Sequence, residues 1–193
     1  MNTMPIRPSR AEAESAVETL LRWSGDNPQR EGLLGTPDRV VRAFEEYFEG
    51  YNEDPTEILK AASYDRAGYD DMVVLRDIRF ESHCEHHIAP ILGTVYIAYL
   101  PDTRVVGISK LARVCDVFAK RLQIQEKLTA EIANAIDTAL KPRGVAIVIS
   151  AGHECMTTRG VYKPGMNMVT RAFTGQFRED ATLRREFLDL LNI

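Results

Sequence analysis

Six histidine and cysteine side chains crowd into two short stretches of this chain, and that crowding constrains what the chain can fold into. The 193 residues include four histidines and three cysteines. All four histidines and two of the cysteines fall in Ser82-His83-Cys84-Glu85-His86-His87-Ile88-Ala89-Pro90 and in Gly152-His153-Glu154-Cys155-Met156. Thiolate sulfur and imidazole nitrogen are preferred ligands of Zn²⁺. Cys84 and His87 stand in a C-x-x-H spacing that lets one turn offer both to a single ion. Cys155 supplies a third ligand from elsewhere in the fold. Three protein ligands leave a fourth position for water, the pattern of a catalytic rather than a structural zinc. His86 and His153 then stand beside the metal as free imidazoles placed for proton transfer.

Two other readings account for the same residues. Cys84 and Cys155 form a disulfide in one. The N-terminal stretch Met1 to Arg10 lacks the apolar core of a secretory signal, and cytosolic thiols stay reduced, so the expected location is cytoplasmic and the disulfide reading is the weaker. In the other, Cys84, His87, Cys155 and His153 close a structural site. Such sites usually hold together domains short of core. With 45% hydrophobic residues this chain has the means to build one.

The net charge of −4 gives no support for a nucleic-acid partner, and no apolar run reaches the ~20 residues of a membrane span. Cys115 lies outside the cluster on an apolar helical face and reads as a core residue.

Along the chain, residues 1–8 read as disordered. Ser9 and Glu12 form a capping box that opens a helix bearing Val17, Leu20 and Leu21. Thr36-Pro37 reads as an N-cap and first helical residue, followed by Val40, Val41, Phe44, Tyr47 and Phe48 at helical spacing up to Gly50. Residues 51–71 read as a connector with one short helix near Thr56–Ala62. From Met72 the period changes. Val73–Phe80, Ile91–Leu100 and Thr103–Gly107 read as strands, the last two joined by a Pro101-Asp102 turn. Two helices follow, the first with Ser109 as N-cap, then strands Val145–Ala151 and Met166–Phe177, and a final helix capped by Asp180. The expected class is α+β with a mainly antiparallel sheet. The expected division is an N-terminal helical segment and connector, 1–71, and a catalytic domain, 72–193.

Ser109-Lys110-Leu111-Ala112-Arg113 places two cations in the first turn of a helix, where they oppose the macrodipole. An anion at that end would justify them, because helix N-termini bind phosphate through free N–H groups. A pair of solvated surface charges would account for them equally well. Arg159 and Lys163 add positive charge near the metal segment, and a polyphosphate substrate would use all four groups. Gln125-Glu126 offers a carboxylate beside an amide, a pair able to read a guanine edge, though an ordinary polar helix start explains it too.

Cys84-Glu85-His86-His87 with Pro90 and Gly93, Gly107-Ile108-Ser109-Lys110-Leu111, Arg121-Leu122-Gln123-Ile124-Gln125-Glu126, and His153-Glu154-Cys155-Met156 with Arg159-Gly160-Val161 together resemble the zinc-dependent GTP cyclohydrolase I family. The resemblance covers nearly everything from Thr36 onward. It implies a tunnelling fold, a four-stranded antiparallel sheet backed by two antiparallel helices. It also implies a homo-oligomer, a decamer of two pentamers with active sites between subunits. The implied reaction converts GTP and water to 7,8-dihydroneopterin triphosphate and formate, the entry step to folate-type pterins. By residue, it implies Cys84, His87 and Cys155 as Zn²⁺ ligands and His86 and His153 as catalytic histidines. It further implies Gln125 and Glu126 as readers of guanine, and Ser109, Lys110, Arg113 and Arg159 as the triphosphate site, with Arg39 reaching in from a neighbouring subunit. The chain departs from the family pattern at Ser150, usually acidic, at Lys127, usually arginine, and around Arg171, where serine and threonine are commoner. Two further classes fit less of this pattern. A related enzyme acting on another purine or pterin does not need the full ligand and phosphate set, and a non-catalytic zinc-stabilised oligomer has no use for spare histidines.

Overall fold

The computed structural model describes residues 7–61 and 63–191. Most of the stretch expected to be disordered therefore lies outside the described residues. Contacts divide the chain into two units that meet between Phe48 and Glu49.

The first unit holds α1 (Arg10–Trp23) and α2 (Thr36–Tyr47). The Ser9–Glu12 capping box is formed as expected, with the Ser9 amide donating to the Glu12 carboxylate at 2.8 Å. Thr36 is already helical; Gly35 is the N-cap and Pro37 sits within the first two positions. Arg10 ties α1 to α2 through Asp38 at 2.8 Å and Glu45 at 2.9 Å. These pairs are exposed and contribute little stability. Val41 is the buried residue of α2, while α1 has none.

The second unit contains α3 (Pro55–Lys60), β1 (Ser63–Asp65), β2 (Val73–Cys84), β3 (Pro90–Leu100), β4 (Arg104–Val106), α4 (Ile108–Ala119), β5 (Leu122–Gln123), α5 (Gln125–Leu140), β6 (Gly144–His153), α6 (Glu154–Thr157), β7 (Asn167–Phe173), α7 (Gly175–Glu179) and α8 (Ala181–Leu191). The main sheet runs β5-β2-β3-β6-β7. Its four long strands are antiparallel, and β5 adds a two-residue parallel pairing beside β2. The α+β class and the helix-backed antiparallel sheet of a tunnelling fold are as expected.

Side-chain alternation explains why β3 and β6 read as continuous apolar runs. Val95, Ile97, Tyr99, Val145, Ile147 and Ile149 face one cluster, shared with α4 and α5 through Leu111, Val114, Phe118, Leu128, Ile132 and Ile136. Tyr96, Ala98, Leu100, Ala146 and Val148 face a second cluster, closed by Phe177, Phe187 and Leu191 of α7 and α8. Both faces of the central strands are covered, so neither position of the period is polar.

The expected connector belongs to this unit by its packing. Leu59 is fully buried in the first cluster, and Gly50 lies where an added Cβ would sit 2.1 Å from the Val117 carbonyl oxygen. Contacts thus place residues 49–71 with the sheet rather than with the helical lead-in. The expected hairpin between β3 and β4 is absent. Both edges of β3 are already occupied, by β2 at Val73↔Tyr99 and by β6 at Leu100↔Gly144. Strand β4 pairs instead with β1. Helix α4 starts two residues earlier than expected, with Gly107 as its N-cap in place of Ser109. The last strand ends at Phe173, because Gly175 turns left-handed with φ 47° and starts α7.

Candidate metal and proton-transfer site

Strand register brings the two ligand stretches together. His83 of β2 pairs with Pro90 of β3, and the next residue of β3, Ile91, pairs with His153 of β6. The loop after β2 and the turn after β6 therefore flank the same end of β3. Strand β5 locks the third component in place, pairing Gln123 with Cys84 and so delivering the start of α5 to that end. The Glu85 amide donates to the Gln123 carbonyl at 3.0 Å.

The loop itself is a tight turn. The Cys84 amide donates to the Ala89 carbonyl and the Ile88 amide donates to the Cys84 carbonyl, each at 2.9 Å. This closure puts Cys84 and His87 on one side. Their Sγ and Nδ1 are 4.0 Å apart. Donor atoms of Cys84, His87 and Cys155 all lie within 4.8 Å of one another. All three cysteines are free thiols, so the disulfide reading does not hold. Two sulfurs and one imidazole nitrogen at this spacing suit a borderline-soft divalent cation, and the residues present fit a metal. Burial, and then the neighbouring Cys84, push the Cys155 thiol up, with Arg159 opposing. A bound cation would reverse that balance and take both sulfurs as thiolates.

His86 lies on the exposed side of the loop, its ring 6.3 Å from that of His87. The Arg159 guanidinium donates to His87 Nε2 at 2.9 Å, so the arginine expected for phosphate stands at the edge of the ligand group. Among the described residues His153 belongs to no such metal group. Its Nε2 is 2.8 Å from Gln125 Oε1. Burial holds its pKa below the ordinary histidine value, with the adjacent Glu126 carboxylate pulling the other way.

The Gln125 side chain is turned into the protein. It is 1% exposed. Its Nε2 faces the carbonyls of Ile149 at 3.2 Å and Met168 at 2.9 Å and the Thr170 hydroxyl at 3.1 Å. Both protons of this amide thus face acceptors within the protein. Glu126, the next residue, is exposed at the start of α5 and stays available. Thr129 and Thr170, which complete this buried group, were not legible as site residues. A threonine four positions after a glutamine on a helix has no distinctive pattern.

Ser109, Lys110 and Arg113 occupy the first turns of α4, and among the described residues their side chains form no hydrogen bond or ion pair. Arg39 lies in the N-terminal unit, where its guanidinium donates to Thr36 Oγ1 at 3.2 Å. Among the described residues no helix is long and apolar enough to cross a membrane.

Comparison with known proteins gives a consistent result. The family model described as GTP cyclohydrolase I matches residues 13–192. A protein named GTP cyclohydrolase 1 from Maricaulis maris (strain MCS10) is 56% identical over 185 residues, covering 96% of this chain and 90% of that protein. A second of the same name from Hyphomonas neptunium (strain ATCC 15444) is 57% identical over 184 residues, covering 95% and 89%. A third, from Brucella abortus (strain S19), is 54% identical over 185 residues, covering 96% and 87%.

Proposed function

The chain belongs to the GTP cyclohydrolase I family, and from that premise we propose how its own residues carry out the reaction. The reaction is the hydrolytic opening of the guanine imidazole ring of GTP at C8, giving 7,8-dihydroneopterin triphosphate and formate. The observation that carries the assignment of roles is the gathering of three soft donors within 4.8 Å, with two further histidines beside them that are not part of the group.

Cys84, His87 and Cys155 hold the metal, which we take to be Zn²⁺ from the Cys/His/Cys donor set. When bound, such an ion supplies Lewis acidity and an activated water at neutral pH. The remaining work falls to the side chains. His153 holds a proton for guanine N7, which makes C8 electrophilic. His86, on the open side of the loop, moves protons during ring opening and the later rearrangement of the sugar. Each positioned acid or base is worth about 10²–10⁴-fold in rate. Glu126 accepts from the guanine ring N–H and exocyclic amine, a pattern adenine does not offer. Ser109, Lys110 and Arg113 at the amino end of α4, with Arg159, anchor the triphosphate. That remote binding energy holds the ring in place for reaction.

The assembly we propose is a homo-oligomer, a decamer of two pentamers with Arg39 serving a neighbouring subunit's site. Strand β7 is a terminal strand of its sheet, and Leu20 and Trp23 of the N-terminal unit are 65% and 88% exposed. Open edges and exposed apolar side chains are surfaces that association covers. The cysteines are free and the proposed location is the cytoplasm.

The test is incubation with GTP, then oxidation and detection of fluorescent neopterin phosphate, with metal content measured in parallel. Cys84→Ala loses both metal and product. His153→Ala keeps the metal and loses product. Loss of metal from His153→Ala would overturn this division of roles.

A further inference from the structure

The buried polar group beneath His153 has a determined sense, and the sense reaches the catalytic ring. Gln125 Nε2 lies within hydrogen-bond reach of two backbone carbonyls, from Ile149 and Met168. Carbonyl oxygens only accept, so the amide nitrogen must face them. A flipped amide would set its oxygen against both and leave a buried acceptor cluster without protons. The Gln125 oxygen therefore points at His153 Nε2, 2.8 Å away. An amide oxygen is only an acceptor, so Nε2 carries the proton. His153 Nδ1 forms no hydrogen bond to a described residue.

The amide is clamped in turn. The Thr129 hydroxyl donates to the Gln125 carbonyl at 2.7 Å, and the two hydroxyls of Thr129 and Thr170 are 2.6 Å apart. With the Thr129 proton committed, Thr170 donates to Thr129, and its oxygen, 3.1 Å from Gln125 Nε2, shares one of the two amide protons with a carbonyl. The bonds close a ring from the Gln125 amide through both threonines to the Gln125 main chain. Gln125 and Thr129 are 1% and 2% exposed, which keeps water from the amide, while Thr170 is half-buried.

We propose that Gln125 is a positioning residue: its oxygen keeps one proton on His153 Nε2 and turns the Nδ1 edge toward the substrate, so that the proton His153 gives to guanine N7 is one carried at Nδ1, with Thr170 fixing the amide. The proposal rests on the reading of His153 as the proton-transfer group. It replaces the expectation that the Gln125 side chain reads guanine.

The two roles for Gln125 predict different kinetics. Gln125→Leu keeps the approximate volume and removes the acceptor. Misplacing a reacting group costs turnover by as much as about 100-fold while leaving substrate binding intact. The expected result is a 10- to 100-fold fall in kcat, a KM for GTP within about threefold of wild type, and an unchanged ratio of kcat/KM for GTP over ITP, which lacks the exocyclic amine. Thr170→Val, which touches neither His153 nor substrate, shows a smaller fall in kcat at constant KM, and Thr170→Ser restores it. Metal content and far-UV circular dichroism are read on every variant. The ¹⁵N spectrum of histidine-labelled protein, with the His153 signals assigned by their absence in His153→Ala, shows a protonated Nε2 in wild type and loss of that single tautomer in Thr170→Val. An unchanged kcat with a raised KM or an altered GTP/ITP ratio in Gln125→Leu overturns the proposal and returns Gln125 to guanine reading. Should Gln125→Leu fail to fold, the Thr170 pair decides by the same criteria, and equal kcat in Thr170→Val and wild type overturns it. An active His153→Ala enzyme would instead overturn the underlying reading of His153, and absence of product from metal-loaded wild type would overturn the reaction itself.

Discussion

Ile88 holds a left-handed backbone, φ 53°, inside the ligand loop. A β-branched residue there is a true outlier, costing roughly 1–2 kcal/mol. The loop needs that conformation, because it closes through the Ile88 amide to the Cys84 carbonyl at 2.9 Å and so sets His87 against Cys84. The side chain is 45% exposed and loses little on removal. Glycine adopts φ > 0 freely but is costlier to order from the unfolded chain. Ile88→Gly is therefore expected to raise stability by up to about 1 kcal/mol, read as a higher urea midpoint. A lowered midpoint would mean that contacts of the isoleucine outweigh the backbone strain. Residue-scale reading of the sequence singled out the three proposed ligands and the two histidines proposed for proton transfer, because cysteine and histidine are rare and have few other reasons to cluster. It did not reach the contacts of Gln125, because which way its amide faces is decided by two carbonyls on strands far along the chain.

Among the elements, β3 carries the site without contributing a proposed catalytic side chain. It lies between β2 and β6, and their pairing to its first residues places one ligand stretch beside the other. Gly93 is what allows the three strands to lie so close. A Cβ there would come 2.5 Å from the Ala151 Cβ, 2.5 Å from the Ser150 carbonyl oxygen and 2.8 Å from the Phe80 ring. Two of those atoms belong to β6, just before His153. Gly93→Ala must push β3 and β6 apart, at a cost of about 1–3 kcal/mol. The expected outcome is a lower melting temperature together with reduced metal content, since Cys155 follows β6. A variant that melts lower but binds metal fully would show that the strand end absorbs the displacement. Element existence was mostly legible, because the strands and helices have clear periods. Pairing was less so: β4 looked like the partner of β3 until both edges of β3 proved taken.

At the scale of the whole molecule, the ligands sit at strand ends, and apolar clusters on both faces of the sheet do not need them. A metal in such a place acts on substrate more than it supports the fold. Chelation is expected to abolish turnover while far-UV circular dichroism and cooperative melting persist, with activity returning on addition of Zn²⁺. Unfolding on chelation would return the site to a structural role. The mass in solution tests the assembly, with a decamer expected at ten times the 21.7 kDa chain. A mass near that of one chain would exclude sites shared between subunits.

The sequence alone determined the chemistry and the class of fold. Donor atoms are properties of residue types, and periodicity records which face of an element is covered. Tertiary structure decided which groups meet and which stay free. It seated residues 49–71 on the sheet through Leu59 and Gly50, and gave β4 to β1. It also turned Gln125 inward to hold His153, because hydrogen-bond sense in a buried group depends on every neighbour at once.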